Sequence, residues 1–253
     1  MGKLADKVAI ITGAGSGMGQ ATALKMAKEG ATVVIAERRE EAAQETADKI
    51  KQIGGTCKIV IGDISDSKQV EQLVASTIDE YGQIDILVNN AGVPMAATPI
   101  EEVSEELWDL QMNVNVKAAY LTSKNVIPHM KSRGKGSIVN ISSIASKRVR
   151  PGLSAYIAAK GAINLFTKAL AIELAGHGIR VNSINPGPAE TPMLEKFYAS
   201  MDADVGRKIY EDSVPLGRLC QPEDIANMNV FLASDDASFI TGAIYDVDGG
   251  RGL

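Results

Sequence analysis

Cysteine and histidine are scarce in this chain of 253 residues, with two of each. Cys57 and Cys220 fit no CxxC or metal-ligand spacing and cannot build a disulfide framework, which suits a reducing, cytoplasmic setting. His129 and His177 have no partner at metal spacing, so no metal is expected. The single tryptophan, Trp108, reads as a core residue rather than a stacking platform. No apolar run approaches the ~18 residues of a membrane span, and the start, Met-Gly-Lys-Leu-Ala-Asp, lacks the apolar stretch of a signal peptide. A basic excess is also missing: 26 Lys and Arg stand against 31 Asp and Glu, a formal charge of −5. Neither a membrane nor a nucleic acid is therefore an expected partner. With 45% hydrophobic and 23% charged residues, the chain has the composition of a globular protein with a sizeable core.

Short β-branched runs recur along the whole length, at Val8–Thr12, Thr32–Ala36, Lys58–Ile61, Ile84–Asn89, Ser137–Ile141, Arg180–Ile184 and Ala243–Val247. Their unbroken apolar character suits parallel strands buried on both faces. Amphipathic helices are expected near 18–29, 40–53, 67–81, 104–131, 154–176 and 222–233, with Ser67, Ser104 and Ser154 as starting caps and Gly30, Gly82 and Gly134 at helix ends. Strand–helix alternation joined by right-handed crossovers specifies a single α/β domain over 1–253. Its architecture is a doubly wound, Rossmann-type parallel sheet of seven strands with helices on both faces. A ligand crevice is expected at the carboxyl ends of the strands. The stretch near 188–216 is too long for a tight connection and reads as a substrate lid.

The first run leads through Thr12-Gly13-Ala14-Gly15-Ser16-Gly17-Met18-Gly19 straight into a helical pattern. A strand-to-helix turn without Cβ atoms lets a pyrophosphate approach backbone N–H groups at a positive helix end, so a dinucleotide is the expected ligand. Glu37 follows the second strand, where such folds place an acid for the adenosine ribose hydroxyls. That carboxylate repels a 2′-phosphate and favours NAD; Arg38 and Arg39 beside it keep NADP possible. Glu37 carries more weight because it ends the strand itself.

Tyr156 and Lys160 lie four apart on one expected helix face, and Ser143, thirteen residues before the tyrosine, closes the fifth strand at the edge where the glycine turn also lies. A phenol has an ordinary pKa near ~10, and a neighbouring ammonium favours its ionised form, so the pair fits a proton-transfer role. A serine hydroxyl beside it suits an oxygen that gains negative charge.

These motifs together resemble the classical short-chain dehydrogenase/reductase family over essentially the full chain. The resemblance rests on TGxxxGxG at Thr12–Gly19, Asp63, Asn89-Asn90-Ala91-Gly92, Asn115, Ser143, YxxxK at Tyr156–Lys160, and Pro186-Gly187 followed by Thr191. It implies an NAD(P)-dependent oxidoreductase moving a hydride between the cofactor and a secondary alcohol or ketone, with Asn115, Ser143, Tyr156 and Lys160 catalytic. Cofactor contacts are implied at Gly13, Ser16, Gly17, Met18, Gly19, Glu37, Arg38, Asp63, Ile64, Asn90, Ala91, Gly92, Tyr156, Lys160, Pro186, Gly187, Ala189 and Thr191. Asp63 is expected on the adenine amino group, Asn90 near a ribose, and Asn115 in a proton relay through a backbone-bound water. A homotetramer is also implied. The competing reading is a sensor or scaffold that binds a dinucleotide without chemistry; the intact Ser143, Tyr156 and Lys160 speak against it.

Walls for the substrate are expected from Met95, Met193, Leu194, Phe197, Tyr198 and Met201. Lys147, Arg148 and Arg150 form a basic cluster that fits either an anionic substrate or a solvated loop, with the solvated loop as the favoured reading.

Overall fold

Seven apolar runs become one parallel sheet: β1 (Val8–Thr12), β2 (Thr32–Glu37), β3 (Cys57–Ile61), β4 (Ile86–Asn89), β5 (Gly136–Ile141), β6 (Ile179–Pro186) and β7 (Ile244–Val247), in the order β3-β2-β1-β4-β5-β6-β7. The computed structural model describes residues 2–197 and 202–253. Strand order reverses between β1 and β4, and the crevice opens at that point because the flanking connections leave to opposite faces.

Pleating divides each strand between two cores. Ala9, Ile11, Val33, Ile35, Ile86 and Val88 pack toward α1 (Gly17–Lys28), α2 (Glu40–Gln52) and α8 (Pro222–Ala233). Val8, Ile10, Val34, Ala36, Leu87 and Ile138 pack toward α3 (Ser67–Tyr81), α5 (Ala118–Arg133) and α6 (Ser154–Leu174). Among the described residues, no helix is long and apolar enough to cross a membrane.

Helix ends follow local chemistry, with two departures from the sequence reading. Ser104 caps α4 (Glu105–Met112) by accepting from Leu107 N at 3.2 Å, and Gly82 and Gly134 close α3 and α5 in the left-handed region. At α3, however, Asp66 rather than Ser67 is the cap, accepting from Gln69 N at 3.0 Å. Ser154 lies inside α6, and its hydroxyl is buried without a hydrogen-bond partner among the described residues. The expected helix over 104–131 is broken: α4 gives way to a π-helical turn at Asn113–Lys117 before α5 begins. Trp108 is 39% exposed on α4 and is not a core residue. The expected lid holds a 3-10 turn at Leu194–Phe197 and α7 (Ala203–Asp212); Tyr198 and Met201 lie outside the described residues.

A chain of buried polar side chains runs beneath the crevice. Thr122 Oγ1 on α5 donates to Asn89 Oδ1 (2.6 Å), Asn89 Nδ2 donates to Asn140 Oδ1 (2.9 Å), and Asn140 Nδ2 donates to Thr167 Oγ1 on α6 (2.8 Å). Asn89 thus joins two strands to two helices, and its buried amide is satisfied in full view of the core.

Candidate active site

The glycine turn is shaped by close approach rather than by flexibility. Gly13 has φ +63, and a Cβ there would lie 2.9 Å from Ala91 Cα. A Cβ at Gly19 would lie 2.1 Å from Gly13 O and 2.5 Å from Asn90 Nδ2. The adjoining strand end holds the turn: Thr12 Oγ1 accepts from Asn90 N (3.0 Å) and Ala91 N (3.1 Å), while Asn90 Nδ2 donates to Thr12 O (2.9 Å) and Gly13 O (3.2 Å). Asn90 is therefore a clamp on the turn through its Nδ2. Ser16 stands at the N-cap of α1 without a side-chain cap bond, and the first helical turn carries no acid. An anion is the natural complement of that end.

On the β2 side, Glu37 is 8% exposed. Its Oε2 accepts from Gly15 N at 3.0 Å, and its Oε1 accepts from Arg38 N and Arg39 N, each at 3.1 Å. The Arg39 guanidinium spans the same corner, donating to Ser16 Oγ at 3.2 Å and lying 3.4 Å from Glu37 Oε1. Sequence reasoning kept both arginines as partners for a 2′-phosphate and put Arg38 among the cofactor contacts; both are exposed, and Arg39 is the one whose guanidinium reaches back to Ser16 and Glu37. Asp63 Oδ1 accepts from Ser65 Oγ (2.6 Å) and Ser65 N (2.8 Å). Those bonds, helped by Arg38 and Lys117, hold its carboxyl below the usual range. Asp63 and Ile64 border a small recess with Val60, Gln69 and Val70.

Tyr156 and Lys160, one turn apart on α6, are both buried. Ser143 caps a 3-10 turn just beyond β5, accepting from Ala145 N at 3.1 Å, and its hydroxyl hydrogen-bonds the Tyr156 phenol. Lys160 Nζ lies 5.8 Å from the Tyr156 ring centre and donates to Ile141 O at 3.0 Å. Burial lowers its pKa to about 8. Burial also pushes the Tyr156 phenol above its ordinary value, opposed by the Ser143 bond and the charge of Arg150. Lys160 is thus placed over the ring as the sequence reading expects, and Arg150 is a further cation that acts on the phenol. Ser142 is turned away, donating to Lys160 O at 2.7 Å.

Asn115 sits in the π-helical turn, and its amide faces Val93 and Gln111: Oδ1 accepts from Val93 N (3.0 Å), while Nδ2 donates to Gln111 Oε1 (2.8 Å) and Val93 O (3.2 Å). Gly92 is wedged between these groups, since a Cβ there would lie 2.7 Å from Asn115 Oδ1 and 3.4 Å from Lys160 Nζ. Gln111, the partner that fixes Asn115, carries no motif that would have singled it out.

The cavity above Tyr156 has a volume of about 290 Å³. Met18 and Thr191 border it on the turn side, and Pro186, Gly187 and Ala189 follow from the end of β6. Thr191 Cγ2 would lie 3.1 Å from a Cβ at Gly17, so the segment after β6 crosses the start of α1. Met193, Leu194, Phe197 and Tyr210 form the outer wall. Met95 is fully buried behind Tyr156 and does not reach the cavity. Of the basic cluster, Lys147 is exposed and paired with Asp246 at 2.7 Å, as the solvated-loop reading expects. Arg148 and Arg150 instead border the cavity, joined by Arg251, which sequence reasoning missed. Among the described residues no group of three or more metal-ligating side chains stands together.

A doubly wound sheet with a bare glycine turn at its switch point, and a phenol, hydroxyl and ammonium beside it, defines the dinucleotide-fold class. The family model described as enoyl-(acyl carrier protein) reductase matches residues 13–251. The chain is 39% identical over 248 residues to a 3-oxoacyl-[acyl-carrier-protein] reductase of Thermotoga maritima, covering 98% of each chain. It is 38% identical over 250 residues to a cyclopentanol dehydrogenase of Comamonas, covering 99% of this chain and 98% of the relative. A crystal structure of a 3-ketoacyl-(acyl-carrier-protein) reductase from Brucella melitensis complexed with NADH superposes with a TM-score of 0.92 at 42% identity, covering 99% of this chain and 100% of the other. The chain belongs to the short-chain dehydrogenase/reductase family of oxidoreductases.

Proposed function

We propose that this protein uses a nicotinamide dinucleotide to interconvert a secondary alcohol and its ketone, with Tyr156 as the proton-transferring group. The observation that carries the reading is the buried Tyr156 phenol, bonded to Ser143, in the cavity that opens beside the glycine turn. The family relatives, one named for NADH and one for cyclopentanol, point the same way.

The residues fit such a cofactor. Backbone N–H groups at the start of α1, from Ser16 through Gly19, would face a pyrophosphate, which the neighbouring glycines let approach closely. Glu37 would accept from ribose hydroxyls, Asp63 and Ile64 would border the adenine, and Asn90, Ala91 and Gly92 would close the floor. Pro186, Gly187, Ala189 and Thr191 would hold the carboxamide end, and Lys160 the neighbouring ribose. When bound, the nicotinamide gives or takes the hydride at C4. Ser143 donates a hydrogen bond to the substrate oxygen, and Tyr156 gives that oxygen a proton in reduction or takes it in oxidation. Asn115 positions the turn that supports Lys160. The segment 188–216 serves as the lid. Exposed Leu110 and Tyr120 near the π-helical turn, with Leu165 and Ile172 on α6, support a homotetramer built through those helices.

Tests follow from two side chains. Oxidation of a secondary alcohol should rise as pH increases from about 6 to about 9, because burial keeps the phenol protonated at neutrality and the base form must be generated; reduction should hold level and then fall. A pH–rate profile flat for oxidation over that span speaks against Tyr156 as the base. Glu37 favours NAD, since a buried carboxylate opposes a 2′-phosphate. Glu37→Ala should raise the NADP-to-NAD ratio of kcat/KM at least tenfold, read at the nicotinamide absorbance. Equal or better use of NADP by the unaltered protein would show that Arg39 decides the matter.

A further inference from the structure

We infer that the substrate carries an anionic group a few bonds from its reacting carbon, and that Arg148, Arg150 and Arg251 receive it; this names the substrate class of the site proposed above and rests on that reading. Among the described residues, the cavity that holds Tyr156 and Ser143 is bordered by three guanidinium groups and by no aspartate or glutamate. Residues 198–201, Tyr-Ala-Ser-Met, bring no carboxylate either.

The three cations also lack a directly paired carboxylate among the described residues, and Asp248 acts on Arg251 only through space. Among the described residues, none of them is part of an ion pair, whereas Lys147 beside them is matched to Asp246. The acid nearest in the chain, Asp248, spends both oxygens on the backbone, accepting from Gly250 N at 2.9 Å and from Gly252 N at 2.6 Å. That double bond set bends the tail so that Arg251, between the two glycines, faces the cavity. Arg251 Nε is held by Ser213 Oγ at 2.8 Å. Its Cζ lies 5.2 Å from the Tyr210 ring centre, and Arg150 Cζ lies 5.3 Å from the same ring and 5.9 Å from that of Phe197. Two half-buried cations share one aromatic ring, and the charges of Arg148 and Arg150 join burial in depressing the Arg251 pKa. Like charges gathered in a partly desolvated cavity are relieved by an anion, and a planar fork suits an oxyanion.

The geometry also limits the size of the ligand. Phe197 stands between Tyr156, 5.4 Å away ring to ring, and Arg150 at 5.9 Å, so Arg150 lies no farther from the Tyr156 ring than those two spans together. A short hydroxy acid or keto acid bridges that gap. Because Arg150 and Arg251 lie inside the cavity and are packed on rings, a small anion fits them better than the acidic surface of a protein.

The test pairs 3-hydroxybutanoate and 4-hydroxypentanoate with their methyl esters, and includes cyclopentanol, in the unaltered enzyme and in Arg150→Gln and Arg251→Gln. Thermal midpoints and NADH binding check that each variant is folded. In a second arm, the NADH complex is titrated calorimetrically with butanoate and with butanamide. We expect the anion to be preferred over its ester in kcat/KM by tenfold or more, and that ratio to fall about tenfold in each variant, the worth of one charge-assisted hydrogen bond. Arg251→Lys, which keeps the charge, should retain most of the preference. Equal or better use of the esters, a ratio unmoved by both glutamine variants, or absence of butanoate binding overturns the anion assignment and leaves the reaction assignment standing if cyclopentanol or an ester is turned over. Arginine-dependent butanoate binding without turnover of any of these alcohols preserves the anion site and overturns the reaction.

Discussion

Tyr156→Phe is expected to lower turnover by about a thousandfold while leaving NADH affinity within about twofold, the loss typical of a removed acid–base group. The reason for so clean a separation is that the ring remains. Tyr156 packs with Met95, Leu153 and Ala155 and meets Phe197 edge-on at 5.4 Å, contacts that phenylalanine keeps. What disappears is the oxygen bonded to Ser143 and the proton it would move. Single-turnover rates and NADH titration by fluorescence check the two halves separately. A variant with rates within tenfold of the parent would require another proton donor in a cavity whose remaining titratable side chains, among the described residues, are three arginines and Tyr210.

Gly19→Ala is expected to weaken NADH binding by at least thirtyfold and to lower the thermal midpoint by several degrees. The added methyl would sit 2.1 Å from Gly13 O and 2.5 Å from Asn90 Nδ2, and neither can yield freely. Gly13 O belongs to a backbone turn, and Asn90 Nδ2 is bonded to Thr12 O and Gly13 O. Overpacking of this kind costs about 1 to 3 kcal/mol, and here the strain falls on the N–H groups assigned to the pyrophosphate. Gly176→Ala provides the contrast: a Cβ there meets nothing within 4 Å, so stability should change by less than about 0.5 kcal/mol. Calorimetry on both variants decides whether the turn or glycine as such matters. An unchanged NADH affinity in Gly19→Ala would remove the turn from the cofactor site.

Strands and the glycine turn were legible because their causes are local: β-branched runs, and a Cβ-free turn between a strand and a helix. Alternation of element types and the handedness of crossovers made a doubly wound sheet of seven parallel strands legible, whereas the order β3-β2-β1-β4-β5-β6-β7 is visible only in the structure. The break at Asn113–Lys117 was not legible, since Val114 and Val116 continue an apolar pattern through it and the extra residue per turn has no compositional mark. Asp66 was passed over for Ser67 because either side chain caps, and only the backbone shows which residue stands outside the helix. The site divides along the same line. Ser143, Tyr156 and Lys160 come together through one strand end and one helix turn. Asn90, whose motif suggested a ligand contact, also clamps the turn, a structural part that the motif did not disclose. Arg251 owes its place to a bend made by Asp248 some distance from every motif, so nothing in the local pattern announced it.

The bonded row Thr122–Asn89–Asn140–Thr167 has a mechanical consequence. Each member uses its neighbour, so displacing one strand relative to either helix would break several satisfied groups at once in a dry interior. The crevice base and the helix bearing Tyr156 and Lys160 therefore travel as one rigid block. The cavity wall that carries Leu194 and Phe197 shares none of these bonds, so on the proposed reading it is the side that can yield to a reactant while the block keeps Tyr156 and Lys160 in place.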